Sequence, residues 1–183
     1  HYQVQSASGR SKDGALAPRT FRKIVFPAKG SAAFARWRAD PRVAALAQEL
    51  GVARPRCVVD QLNLKAPRIG TGFPWHQDAA FLPPRTRHAF ERHGGVNVVI
   101  ALDPAGARNG GFEVLPGSHH GGLRAFAYDT GGVTEGVFNE SARRLLELRP
   151  GDGVAFHPLL AHGSGPNPSD DPRRLVALWL VGS

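Results

Sequence analysis

Beyond residue 55 the chain never stays apolar for long. Its hydrophobic residues come in short bursts: CVVDQLNLK (57–65), GFPWHQDAAF (72–81), VNVVIALD (96–103), GFEVLPGS (111–118), LLELRPGD (145–152), GVAFHPLLAHGS (153–164) and RRLVALWLVGS (173–183). Each is bounded by Gly, Pro or Asp, residues that interrupt regular structure for distinct steric reasons. Runs this short cannot make a helical bundle. Regularly spaced, with turn signals between them, they predict a double-sheet sandwich or barrel. Only residues 31–51 read differently. Ser31 is placed to cap AAFARWRA. Asp40 is placed to cap a second helix, with Pro41 at its first position, VAALAQEL as its body and Gly51 as its stop. Residues 1–20 are polar with Gly and Ser and read as a loose edge or loop. Residues 82–95 and 121–144 read as loops or short helices at the mouth of the sandwich. The expectation is a mainly β chain of α+β class, a small helical cap on a jelly roll. It forms a single domain over 1–183, with a helical and edge part at 1–54 and the jelly-roll core at 55–183.

Length and composition limit the remaining possibilities. At 183 residues the chain can bury one proper core. No apolar run approaches the length of a membrane-spanning helix, and no leader with a basic start and apolar body opens the chain. The chain begins at His1 and contains no Met, so the start of translation is expected to lie outside it, in a longer protein. Cys57, the single cysteine, can form neither an internal disulfide nor a zinc cluster; it reads as a small core filler. Nothing indicates an oxidising compartment, and a cytoplasmic location is expected. The net charge of +8 comes from scattered arginines rather than a basic run. It reads as solvated surface first, attraction for an anionic substrate second and nucleic acid last.

The chemistry concentrates in two places. In FPWHQDAAF, His76 and Asp78 are separated by one residue and on a strand would share a face, with Gln77 turned away. Such a pair is either a buried His–Asp hydrogen bond or half of a divalent metal site. Eighty-four residues after Asp78 comes His162, in AHGSGPNPSDDPRR. Two histidines and one carboxylate leave positions open on a metal, the pattern of the facial triad in non-haem iron(II) oxygenases. Arg173 opens the last apolar run, and its planar fork suits bidentate capture of a carboxylate.

WHQD, NGGFEVLPGSH and HGSGPNPSDDPRR together resemble the phytanoyl-CoA dioxygenase (PhyH) family of Fe(II)/2-oxoglutarate-dependent oxygenases. DQLNLKAPRIGTGFPWHQD is also similar to part of the ectoine hydroxylases, members of that family. The resemblance covers roughly residues 55–183. It implies a double-stranded β-helix, or cupin-like jelly roll. His76, Asp78 and His162 would bind Fe(II), Arg173 and Ser164 would hold the distal carboxylate of 2-oxoglutarate, and Asn63 would contact that co-substrate. Lys65, on the same strand face as Asn63, is a candidate to line the site. The implied activity uses 2-oxoglutarate and O2 to hydroxylate an unactivated C–H of a small molecule, releasing succinate and CO2. Asp78 argues against halogenation, because related halogenases carry a small residue there. Two other readings stay open: a nucleic-acid oxidative demethylase on a related fold, and a metal-binding jelly roll that turns nothing over.

Neighbouring residues compete for these roles. His157, read in the same strand as His162 but five positions earlier, falls on the opposite face and is assigned to the core or to support of the ligands. Arg174 faces away from Arg173. His119 reads as a turn residue, Asn109-Gly110-Gly111 as a tight turn, and Trp75 as packing. Glu113 is displaced as a ligand by Asp78, and Asn97 faces either the core or the co-substrate. The basic stretch 82–95 begins four residues after Asp78. It reads either as a lid that selects an anionic or carrier-linked substrate or as a solvated loop. Neither nucleic acid nor membrane is expected as a partner.

Overall fold

A computed structural model describes residues 2–4, 21–124, 126–127, 132–133 and 138–183. Its strands are β1 (Tyr2–Val4), β2 (Phe21–Val25), β3 (Arg56–Lys65), β4 (Phe73–His76), β5 (Gly95–Ala101), β6 (Phe112–Val114), β7 (Phe126–Ala127), β8 (Gly132–Val133), β9 (Arg144–Leu146), β10 (Gly153–Phe156), β11 (His162–Ser164) and β12 (Arg173–Val181). They form a six-stranded sheet in the order β1-β2-β3-β12-β5-β10, a four-stranded sheet in the order β4-β11-β6-β9, and the separate pair β7-β8. Every pairing between these strands is antiparallel.

The alternation of β12 sorts the molecule into layers. Leu175 and Ala177 point to the second sheet, where they join Val99, Ala101, Phe112, Val114 and Phe156 in the core of the sandwich. Leu178 and Leu180 point the other way, with Val96 and Val98 of β5, and are covered by Val43 and Ala47 of a helix. Two-sided burial explains why RRLVALWLV reads as a continuous apolar run. The helical cap is α1 (Ala32–Arg38) and α2 (Pro41–Glu49), with Ser31 and Asp40 as the caps and Pro41 in the first turn, as the sequence predicts. Gly51 adopts φ +85° just beyond α2, a conformation that glycine alone takes without steric cost. Buried Asp60 secures the cap by accepting from the Ala28 N–H and pairing with Arg38 at 3.2 Å.

Several expectations need correction. The segment 72–81 is a strand only to His76; Asp78–Phe81 is a 3-10 turn. GVAFHPLLAHGS is two strands in different sheets. Pro158 has no N–H to give a ladder, and the chain turns there through a Leu160 N–H bond to the His157 carbonyl. His157 is therefore not in the strand of His162. It is exposed, accepts the Leu159 N–H and packs edge-on against Phe90. Of the two forms expected for the basic stretch, loop or short helix, it takes the helix, α3 (Pro84–His93), whose Phe90 packs with Trp179 and Val181 at one end of the sandwich. The short strands β7 and β8 fall within 121–144, where none was anticipated. FRKIV at 21–25 is likewise a strand, and it pairs with β3. Apart from β1, residues 1–20 lie outside the described residues. Among the described residues, no helix is long and apolar enough to cross a membrane.

Candidate functional site

The register of the six-stranded sheet lines up a polar row on its inner face. Lys23 stands opposite Asn63, which stands opposite Leu175; Gln61 stands opposite Ala177; and Lys65 stands opposite Arg173. Directly paired residues project to the same side of a sheet, so all of these face the four-stranded sheet. There His162 of β11 is the cross-strand partner of His76 of β4. Between the sheets lies a narrow cleft. Its polar lining includes Lys23, Gln61, Asn63, Ser164 and Arg173 with the His76, Asp78 and His162 set, and Phe73, Phe112 and Phe156 close it with apolar surface.

Nε2 of His76 lies 3.5 Å from Asp78 Oδ1, and Nε2 of His162 lies 3.5 Å from Asp78 Oδ2. The other ring nitrogens are committed. His76 Nδ1 meets the Pro74 carbonyl at 2.7 Å and His162 Nδ1 meets the Leu160 carbonyl at 2.9 Å. A carbonyl only accepts, so both Nδ1 atoms carry a hydrogen and both Nε2 atoms are turned toward Asp78. Burial, with His76 adding to it, depresses the His162 pKa to about 4 against the pull of Asp78. Burial opposes the charge on Asp78, yet its neighbours, the Lys23 ammonium among them, hold its carboxyl below the usual carboxylate range. Two imidazole nitrogens and a carboxylate therefore converge, their ligand atoms all within 4.8 Å of one another. Two nitrogens and one carboxylate oxygen, buried and aimed at one point, are a donor set that fits a divalent metal. Nδ1 bonds to backbone carbonyls are also the usual way a ligand histidine is oriented. Among the described residues no other His, Cys, Asp or Glu joins the group.

Neighbouring residues fix the ligands. Asn97 is 1% exposed, and its Nδ2 donates to Asp78 Oδ2 at 2.5 Å, which resolves which way Asn97 faces. Gln77 does turn away. Its amide donates to the Gly122 and Leu159 carbonyls and accepts from the Arg124 N–H, tying three segments behind the ligands. Aromatic rings of Phe112 and Phe156 hold His162 at centroid distances of 5.3 and 4.9 Å.

Arg173 is 1% exposed and has no carboxylate within ion-pair distance among the described residues. It donates from Nε and Nη2 to the Gly110 carbonyl and from Nη2 to Ser164 Oγ at 3.4 Å. Burial lowers its pKa to about 9, Asp103 working the other way, so it remains charged at neutral pH. A buried cation without an anion is costly, and the cleft in front of it fits a carboxylate. Arg174, half exposed, is spent on Asp103 at 2.7 Å. Lys65 is also 1% exposed but does not line the cleft. It lies behind Ser164, donating to Ser164 Oγ, Gly110 O and Gly165 O. Asn63 does line it, and its Oδ1 has no partner.

Glu113 and Trp75 sit on the outer faces of their strands, Trp75 against Gly163. Asn109 forms the tight turn expected of it, bonding Gly106 N–H and Pro104 O. His119, in a 3-10 turn, packs its ring against those of His120 and His157. Sequence reasoning missed Lys23 and Gln61. Gln61 was recoverable, being two residues before Asn63 and so on its face. Lys23 lies in FRKIV, whose apolar and basic residues do not alternate, so no period-2 signal marked that stretch as a strand. Residues 82–95 contribute nothing to the cleft lining.

The family model described as phytanoyl-CoA dioxygenase (PhyH) matches residues 9–175. The chain is 33% identical over 139 residues to L-proline trans-4-hydroxylase of Streptomyces griseoviridis, covering 64% of this chain and 51% of that protein. It is 35% identical over 118 residues to human peroxisomal phytanoyl-CoA dioxygenase, covering 60% of this chain and 33% of that protein. It therefore spans between about a third and a half of these relatives' length. EctD from S. alaskensis, solved with 2-oxoglutarate and 5-hydroxyectoine, superposes with a TM-score of 0.72 at 23% identity, over 97% of this chain and 63% of that one. At that identity the likeness speaks for a shared fold.

Proposed function

The chain belongs to the phytanoyl-CoA dioxygenase family, and on that footing we propose that it is an Fe(II)- and 2-oxoglutarate-dependent dioxygenase hydroxylating a C–H bond of a small molecule. The observation that carries the reading is one cleft holding two unlike sites. A buried His76, Asp78 and His162 set gathers at the four-stranded sheet, and a buried Arg173 without an anion stands on the other. Iron(II) held by the three ligands supplies O2 activation coupled to oxidative decarboxylation of 2-oxoglutarate, giving succinate, CO2 and the hydroxylated product.

The chain's own residues do the rest. Arg173 and Ser164 hold the distal carboxylate, and Asn63 lines the cleft beside the same molecule. Asn97 fixes the plane of the Asp78 carboxylate. Phe73, Phe112, Phe156 and Leu175 keep water from the reacting centre. Two relatives are named as a hydroxylase of L-proline and a phytanoyl-CoA dioxygenase, which supports a small-molecule substrate. Once Arg173 is taken by the co-substrate, Lys23 is the cation left in the cleft for an anionic or carrier-linked group. A cytoplasmic location goes with this reading.

The test is succinate release from 2-oxoglutarate by the Fe(II)-loaded protein under air, screened against amino acids, acyl thioesters and methylated oligonucleotides. Turnover raised by a small molecule supports the reading. Stimulation by oligonucleotides alone would convert it to a demethylase. Tight metal and 2-oxoglutarate binding without any turnover would make the protein a silent binder.

A further inference from the structure

Lys65 is a second buried basic side chain, directly opposite Arg173 across the β3–β12 pair, and the cleft does not reach it. Its Nζ faces three acceptors: Ser164 Oγ at 2.7 Å, Gly110 O at 3.0 Å and Gly165 O. As an ammonium it can donate to all three. Ser164 Oγ then accepts from both Lys65 and Arg173, which fills its two lone pairs and leaves its own hydrogen free to point into the cleft. A neutral amine has only two N–H groups and one lone pair. It satisfies the two carbonyls, and Ser164 must turn its hydrogen back onto Nζ.

We infer that Lys65 is a positioning residue whose protonation sets the direction of the Ser164 hydroxyl, so that seating a carboxylate on Ser164 and Arg173 draws a proton onto Lys65. The inference rests on the 2-oxoglutarate reading of that pocket. The groups facing Lys65 favour a neutral resting state. Burial brings its pKa down to about 6, Arg173 on β12 and Arg22 on β2 push the same way, and Glu113 on β6 opposes them. Asn63 shares its strand face and Phe73 of β4 lies 5.7 Å from Nζ; neither carries charge. A carboxylate accepting the Ser164 hydrogen bond lies within roughly 5.5 Å of Nζ, by the 2.7 Å Lys65–Ser164 distance and an ordinary O–H···O length. An opposite charge that close raises a pKa by about one to three units. The bound state is then mostly ammonium near neutral pH, and the proton comes from solvent.

The measurement is calorimetry of 2-oxoglutarate binding to anaerobic protein already loaded with Mn(II), so that the metal ligands do not titrate. Titrations near pH 7 in buffers of different ionisation enthalpy count the protons exchanged. About half to one proton is expected to be taken up, falling toward zero near pH 5, where Lys65 is already charged. Affinity should weaken by up to about tenfold per pH unit as pH rises through this window. Lys65→Met, close in length and uncharged, should bind more weakly with no uptake. Absence of uptake in the native protein near pH 7, or equal uptake in folded Lys65→Met, overturns the inference and leaves the co-substrate reading intact. No 2-oxoglutarate binding at all overturns both. The pH series on the native protein decides the matter even if Lys65→Met does not fold.

Discussion

Replacing Asn97 with alanine removes the amide that donates to Asp78 Oδ2, the oxygen that also faces His162 Nε2. Both residues are buried, at 1% and 4% exposure, so water cannot replace the bond easily. A hydrogen bond to a charged acceptor contributes about 1.5–3 kcal/mol. Without it the carboxylate can turn about its Cβ–Cγ bond, and that energy is lost from the metal-competent arrangement. At about 1.4 kcal/mol per decade the metal affinity should fall by roughly ten- to a hundredfold. Asn97→Leu keeps most of the volume and should lose as much, which separates the hydrogen bond from the cavity that alanine leaves. The assay is competitive titration of Mn(II) or Co(II) against a fluorescent chelator, with circular dichroism to confirm that the metal-free variants fold. Metal affinity within twofold of native in both variants, while Asp78→Ala abolishes binding, would falsify the claim that Asn97 sets the carboxylate.

Asp78→Ala itself should abolish metal binding and hydroxylation together; full activity without added carboxylate would sink the ligand assignment. Arg173→Ala should weaken 2-oxoglutarate binding by on the order of 30-fold to several thousandfold. Arg174→Ala, which loses only a half-exposed pair with Asp103, should leave that affinity unchanged, and calorimetry on the two variants tests the strand register. Gly110→Ala places a Cβ 2.4 Å from the Gly165 carbonyl and 2.8 Å from Lys65 Nζ, at φ +69°. It should lower the melting temperature and loosen 2-oxoglutarate binding, and an unchanged melting curve would show that the loop yields freely. In metal-free protein the depressed His162 pKa means that folding excludes a proton the unfolded chain accepts below about pH 6.5. Stability from this group is therefore complete above that pH and lost as pH falls toward about 4, by a few kcal/mol. Urea denaturation from pH 7 to pH 4 should show the decline, and saturating metal at pH 7 should raise the midpoint. Arg85→Ala should leave all substrate kinetics unchanged. Arg87→Ala should weaken metal binding, because Arg87 holds the Ala80 and Leu82 carbonyls of the turn that begins at Asp78.

The sequence by itself determined the strand pattern of the sandwich and the local relation of His76 to Asp78, while their meeting with His162 came from strand pairing. Period-2 patterning is local, so β3, β5 and β12 could be read from their own residues, and so could the capped helices α1 and α2. His76 and Asp78 are two residues apart on extended backbone, and Gln77 at φ −119° and ψ 123° keeps that relation even though the strand has ended. Tertiary structure decided what lies across from what. Lys65 and Asn63 share a strand face, yet one is shut behind Ser164 and the other opens into the cleft, because Gly110 and Gly165 arrive from distant segments and close over Lys65. Asn97 became the partner of Asp78 only when β5 and the 78–81 turn were brought together. The basic stretch at 82–95 was read by its distance along the chain from Asp78; in space α3 turns away to cover Trp179 and Val181. Sequence separation measures only how far a segment can reach, whereas burial of Phe90 fixes where it goes.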